Sequence, residues 1–154
     1  MPESVKMPST EVVRGVLAAL GDAGIEAAVG GSGLLAALGL VDRVRDWDLT
    51  TDVDLGAVEA ALTSAGIPYS PQPAHDGTWA TRARLHVDGG DHDIDILIGF
   101  AIRAGETVHV LPSRVTGHWL GLPLADPVVW AQAYRLIGRH HRAAALGAWL
   151  AGRD

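Results

Sequence analysis

The sequence predicts an α/β (α+β) domain, a mixed β-sheet flanked by helices with a short helical C-terminal tail. Three observations predict it. Apolar residues recur at helical spacing near both ends of the chain, and segments between them alternate with period two. Two of those segments are joined by Asp88-Gly89-Gly90, a strong hairpin signal. At 154 residues the chain is long enough for one domain, 1–154, and short for two. Its 48% apolar and 19% charged residues are those of a packed protein.

In order, Met1–Pro8 reads as a loose start and Ser9 as the N-cap of a helix with Val12, Val13, Val16, Leu17 and Leu20 on one face. Gly21 and Gly24 end it. Ile25–Val29 is a short strand running into Gly30-Gly31-Ser32-Gly33, and Leu34–Leu40 a short apolar helix. Arg45–Thr51 alternates as a strand. Asp54 caps a helix with Leu55, Val58, Leu62 and Ala65 inward, closed by Gly66-Ile67-Pro68. Three prolines make Tyr69–Gly77 a loop. Thr78–Val87 and Asp91–Ile98 form the hairpin, and Thr107–Leu111 adds one more strand. The tail, 126–152, opens on Asp126-Pro127, an N-cap followed by proline in the first turn. Trp130, Ala133, Tyr134 and Ile137 form its stripe, continued by Leu146, Trp149 and Leu150.

Composition removes several function classes. The chain has no cysteine, so disulfide scaffolds, thiolate zinc sites and cysteine nucleophiles are excluded. A net charge of −6 argues against a sequence-independent grip on nucleic acid, which needs clustered positive charge. No apolar run approaches the roughly 20 residues that cross a membrane, and no secretory h-region is present. A cytoplasmic protein with a small-molecule or protein partner is the expectation.

Asp46 and Asp48 lie two apart on a predicted strand and point to one face, roughly 6–7 Å apart. Asp93 and Asp95 share a face of another strand, with Ile94, Ile96 and Ile98 opposite. One such pair reads as solvent-facing. Two pairs on different strands, each flanked by apolar residues, point to a site. Carboxylates aimed together repel unless a cation or a shared proton compensates, and hard oxygen ligands suit Mg²⁺ or Mn²⁺. Upstream, the glycines let backbone approach a ligand, and the N–H groups at the following helix start attract phosphate, with Ser32 as a further donor. Alone, that segment is a tight turn.

The stretch from Gly24-Ile25-Glu26-Ala27-Ala28-Val29-Gly30-Gly31-Ser32 to Arg43-Val44-Arg45-Asp46-Trp47-Asp48-Leu49 resembles the signature of the nucleotidyltransferase superfamily of the DNA polymerase β type. That signature is an apolar strand, Gly-Gly or Gly-Ser, a helix of about a dozen residues and then Asp-apolar-Asp. Ile94-Asp95-Ile96-Leu97 resembles its third carboxylate strand more closely than His92-Asp93-Ile94 does. The resemblance covers the first two-thirds of the chain. It implies the nucleotidyltransferase fold and transfer of a nucleoside monophosphate from a nucleoside triphosphate, such as ATP, to a small-molecule or protein acceptor. Gly30, Gly31 and Ser32 would hold the triphosphate; Asp46 and Asp48 would ligate the metal; Asp95 would complete a second metal site and help deprotonate the acceptor. Arg43 and Arg45 are either phosphate contacts or surface residues. Asp93 is a further carboxylate: a ligand, an outer group or simply exposed. Minimal members of the superfamily also imply a different role, a nucleotide-binding or toxin–antitoxin partner protein with little turnover.

Other motifs fit less well. Gly31-Ser32-Gly33-Leu34-Leu35-Ala36 satisfies a dinucleotide fingerprint, but two acids lie inside the next strand and a hairpin replaces the crossover helix. Asp46-Trp47-Asp48-Leu49-Thr50 lacks the apolar lead-in and downstream lysine of haloacid dehalogenase-type phosphatases. An EF-hand fails because Thr51 stands where the turn glycine belongs. The seven histidines include no helical His-x-x-x-His pair, and only His92 adjoins the carboxylate strand. The five tryptophans read as core and rim, with Trp79 near the Pro-rich loop able to line a pocket.

Overall fold

A computed structural model describes residues 5–153, apart from the side chains of His75 and Asp76. The elements run α1 (Glu11–Asp22), β1 (Ala28–Gly30), α2 (Gly31–Ala37), β2 (Trp47–Thr51), α3 (Leu55–Ser64) and β3 (Ser70–Gln72). They continue with β4 (His75–Asp76), β5 (Trp79–Ala80), β6 (Ala83–Asp88), β7 (Asp93–Ile98), β8 (Ala101–Ala104) and β9 (Thr107–Val110). The chain ends with β10 (Val115–Trp119), β11 (Leu122–Ala125), α4 (Pro127–Leu136) and α5 (His140–Ala151).

A mixed sheet of order β10-β11-β1-β2-β7-β6-β3 carries the fold. β1 runs parallel to β11, and β2 parallel to β7; the remaining neighbours are antiparallel. A second sheet has the order β4-β5-β8-β9. One apolar cluster joins α1 (Val13, Val16, Leu20) and α3 (Val58, Leu62) to the main sheet through Leu49, Ile94, Ile96 and Ile98. Trp130, Ala133 and Tyr134 dock α4 into the same cluster. Among the described residues no helix is long and apolar enough to cross a membrane.

The structure differs from the expectations at definite places. Met1–Ser4 lie outside the described residues, but the rest of the expected loose start is tied down. The Lys6 N–H donates to the Asp42 carbonyl at 2.9 Å, and the Val44 N–H donates to the Lys6 carbonyl at 2.8 Å. Thr10, not Ser9, is the N-cap of α1; the Ser9 hydroxyl accepts from the Glu11 N–H at 3.2 Å. Leu55 and Ala65 are exposed, leaving Val58, Ala61 and Leu62 as the buried face of α3. The expected loop Tyr69–Gly77 contains β3, which tolerates Pro71 because an edge strand leaves some N–H groups unneeded.

The expected strand Thr78–Val87 is two strands in different sheets. Between them the buried Thr81 hydroxyl bonds the Ala101 backbone at 3.3 Å, taking the place of a ladder. β8, β10 and β11 had no clear pattern in the sequence. The β10–β11 turn uses Leu120-Gly121, both at positive φ, where the usual Asn-Gly signal is missing.

Candidate active site

Pairing in the main sheet sets Gly30 opposite Asp48, and Asp48 opposite Asp95, so one row crosses β1, β2 and β7. Residues paired in this way share a face. The row opens on a cavity of about 710 Å³ lined by Gly31, Ser32, Arg43, Arg45, Asp46, Asp48 and Asp95, among others. Asp46 stands just before β2, not inside it. Its carboxylate accepts from the Asp93 N–H at 2.9 Å, which ties the approach to β2 to the start of β7.

The glycines before and at the start of α2 have separate tasks. Gly31 has a φ of +56°, a conformation L side chains rarely adopt, and an added Cβ would run into the Asp48 carboxylate. At Gly30 a Cβ would run into the Trp130 indole. The first lets backbone lie against the acid; the second lets α4 lie against the sheet.

Asp48 is the electrostatically strained member of the row. Burial first, then the neighbouring Asp95 and Asp46 carboxylates, push its pKa up from 3.8 to about 7, while Arg84 and Arg142 pull it down. Asp95 has a partner: Arg84 on β6 donates to its Oδ1 at 3.3 Å. Asp93 is absent from the cavity lining, and its carboxylate sits 2.7 Å from His86 Nε2. Among the described residues no three His, Asp or Glu side chains gather closely enough to enclose a cation. Asp46 and Asp95 are turned instead toward a backbone N–H and a guanidinium. His92 is buried beside Gly89 with Nδ1 2.7 Å from Asp91, away from the carboxylate row.

No family model matches the chain, and no curated protein matches it. Solved structures do. A protein of Thermotoga maritima, proposed to be a nucleotidyltransferase, superposes with a TM-score of 0.65 at 20% identity, over 93% of this chain and 92% of its own. The fold is that of a nucleotidyltransferase. ANT(2'')-Ia in complex with adenylyl-2''-tobramycin superposes with a TM-score of 0.50 at 16% identity, over 94% of this chain and 98% of its own. The solution structure of the antibiotic-resistance factor ANT(2'')-Ia gives 0.50 at 19% identity, over 93% and 89%.

Within this nucleotidyltransferase fold the cavity has further lining that sequence reasoning missed. Arg84, Arg139 and Arg142 join Arg43 and Arg45, so five of the chain's eleven arginines face one cavity of an acidic protein. Trp130 and Tyr134 line it too, beside Trp79, which the sequence offers as pocket lining. Their rings run in a row through the buried Phe100, with successive centroids 6.1, 5.1 and 5.6 Å apart. Arg84 left a legible trace, an arginine at alternate spacing in the strand that pairs with the carboxylate strand. Tyr134 read as an ordinary member of an apolar stripe, and Arg139 and Arg142 carried no local pattern.

Proposed function

We propose that the chain is a nucleotidyltransferase that moves a nucleoside monophosphate from a nucleoside triphosphate to a small-molecule or protein acceptor, with Mg²⁺ or Mn²⁺. The observation that carries this reading is the pairing of Asp48 with Asp95 on adjacent parallel strands, with Asp46 beside them and Gly31 against Asp48. The nucleotidyltransferase fold supports it.

The residues fit a hard divalent cation. Asp48 is held against its own ionisation by burial and by two carboxylates, a penalty that a bound cation would cancel. Mg²⁺ commonly takes one or two protein carboxylates and completes its shell with substrate phosphates and water. A closed three-carboxylate cage is therefore not required. Asp46 and Asp48 would be its ligands, with Asp95 at a second position and Asp93 beyond the first shell. When bound, the cation would neutralise charge on the phosphates.

The chain's own groups do the rest. The backbone of Gly30 and Gly31 and the Ser32 hydroxyl bind the triphosphate at the start of α2, with Arg45 at the rim. Asp95 accepts the acceptor's proton as its oxygen bonds to the α-phosphorus. The bond from that phosphorus to the bridging oxygen breaks, and pyrophosphate leaves with the electron pair. Arg84 keeps the Asp95 carboxylate oriented for this.

Thermal unfolding with ATP, GTP, CTP and UTP, each with and without Mg²⁺, tests the reading on wild type and on Asp48→Asn. Ligand at about 100-fold over its Kd adds roughly 2.7 kcal/mol, a shift of several degrees. A Mg²⁺-dependent shift in wild type that Asp48→Asn loses is expected. No shift with any nucleotide would remove the proposal. Binding with no release of pyrophosphate across an acceptor panel that includes co-purifying proteins would leave the partner-protein role.

A further inference from the structure

The cavity holds two half-buried arginines, and they differ in their partners. Arg84 has a carboxylate, Asp95, at 3.3 Å. Arg142, in the first turn of α5, forms no ion pair among the described residues. Its contacts are neutral. One guanidinium nitrogen donates to the Tyr134 hydroxyl at 3.3 Å, and its Cζ stands 5.6 Å from the centre of the Tyr134 ring. Tyr134 is itself almost completely buried, 5.6 Å from Trp130. A charge partly withdrawn from water and fixed in place by aromatic packing, within electrostatic reach of Asp48 but in ion-pair contact with no carboxylate among the described residues, is organised for an anion that comes from outside.

Its position says which anion. Trp130 lies against Gly30, the residue immediately before the start of α2, and Tyr134 follows one turn later on α4. Arg142 therefore reaches the cavity from the β1–α2 side of the sheet. Arg84 lies on β6, beyond Asp95 in the strand order. An in-line displacement puts the leaving group and the acceptor on opposite sides of the transferred phosphorus. The Gly31-Ser32 side is the donor side under the function proposed above, on which this step rests.

We infer that Arg142, held by Tyr134, is a triphosphate-binding residue of the C-terminal tail, gripping the donor's terminal phosphates from the β1–α2 end of the cavity. A guanidinium fork is suited to non-bridging phosphate oxygens, and a planar fork already fixed by an aromatic neighbour loses little freedom on binding. The tail then completes the donor site instead of merely covering the sheet. The leaving pyrophosphate then meets a positive charge from the tail in addition to Arg43 and Arg45 of the Gly-Gly-Ser to Asp-Trp-Asp segment.

Inorganic tripolyphosphate with Mg²⁺ is the probe, because it carries the phosphate chemistry without a base. Its affinity is measured by calorimetry for full-length wild type, Arg142→Ala, Arg142→Lys and Tyr134→Phe, alongside the thermal midpoint of each ligand-free protein. Losing a charge-assisted contact weakens binding about tenfold or more. Arg142→Ala is expected to show that loss at an unchanged midpoint, Arg142→Lys to recover part of it, and Tyr134→Phe to fall between. Wild-type binding that Arg142→Ala leaves intact would overturn this inference and spare the proposed function. No Mg²⁺-dependent binding by wild type would overturn both.

Discussion

One wall of the cavity is backbone-built and another is packing-built. Asp48 and Asp95 are placed by hydrogen-bonded register across adjacent strands, with Gly31 following the paired Gly30, so their spacing follows from the sheet itself. Trp130, Tyr134 and Arg142 reach the same cavity from two helices, through ring contacts and a single hydroxyl bond. The difference teaches where each kind of change should register. A charge substitution on the first wall alters chemistry within an intact sheet, whereas removal of a buried ring from the second alters how firmly the tail is docked.

The largest effect is expected on the second wall. Trp130 is 5% exposed and touches Gly30, Phe100 and Tyr134. Trp130→Ala removes a buried ring from the joint between helix and sheet, at a cost of about 3–5 kcal/mol. Urea unfolding followed by far-UV circular dichroism measures it. A loss below about 1 kcal/mol would mean that the tail is docked by something other than this ring, and the contrast between the walls would collapse.

The first wall should respond to pH. Asp48 has a folded-state pKa of about 7 against 3.8 for the free side chain. Between these values the folded chain keeps a proton that the unfolded chain has released, so stability falls as pH rises from about 4 to about 7, and the penalty is constant above that. Its full size is on the order of a few kcal/mol. Asp48→Asn is neutral at every pH and nearly the same shape. It should remove this part of the slope and leave the ligand-free protein more stable than wild type at pH 8. Equal slopes for the two proteins would mean that Asp48 is ionised without strain.

The two walls were unequally legible in the sequence, for a physical reason. Asp46, Asp48 and Asp95 sit in short period-two segments, and Gly31-Ser32 between an apolar strand and an apolar helix; such signals are local. Their convergence needed only neighbouring strands. Trp130 and Tyr134 bury one face of α4 as any core residue would, so nothing local marks them as cavity lining. Arg142 acquires its role only because α5 folds back on α4. The strands that escaped notice fail in the same way. β11 pairs parallel with β1 across most of the chain, and its Leu122-Pro123-Leu124-Ala125 is too short to show a period. Thr78–Val87 reads as continuous because the break at Thr81 is made by a hydroxyl bond to a distant residue, Ala101.

The finest test separates backbone strain from contact on the first wall. Gly31 and Gly39 both have positive φ, +56° and +77°, and both border α2. Around Gly39 an added Cβ meets nothing within 4 Å, whereas at Gly31 it meets the Asp48 carboxylate. Gly39→Ala should therefore cost the conformational strain alone, about 1 kcal/mol. Gly31→Ala carries the same strain and must also displace the half-buried Asp48 carboxylate, for a total of about 2–3 kcal/mol. Chemical unfolding at pH 8 gives both numbers. Repeating it in the Asp48→Ala background, where the obstructing carboxylate is gone, should bring the Gly31 cost down to that of Gly39. An unchanged gap would place the penalty in the backbone, and Gly31 would then be a turn residue with no bearing on the acid beside it.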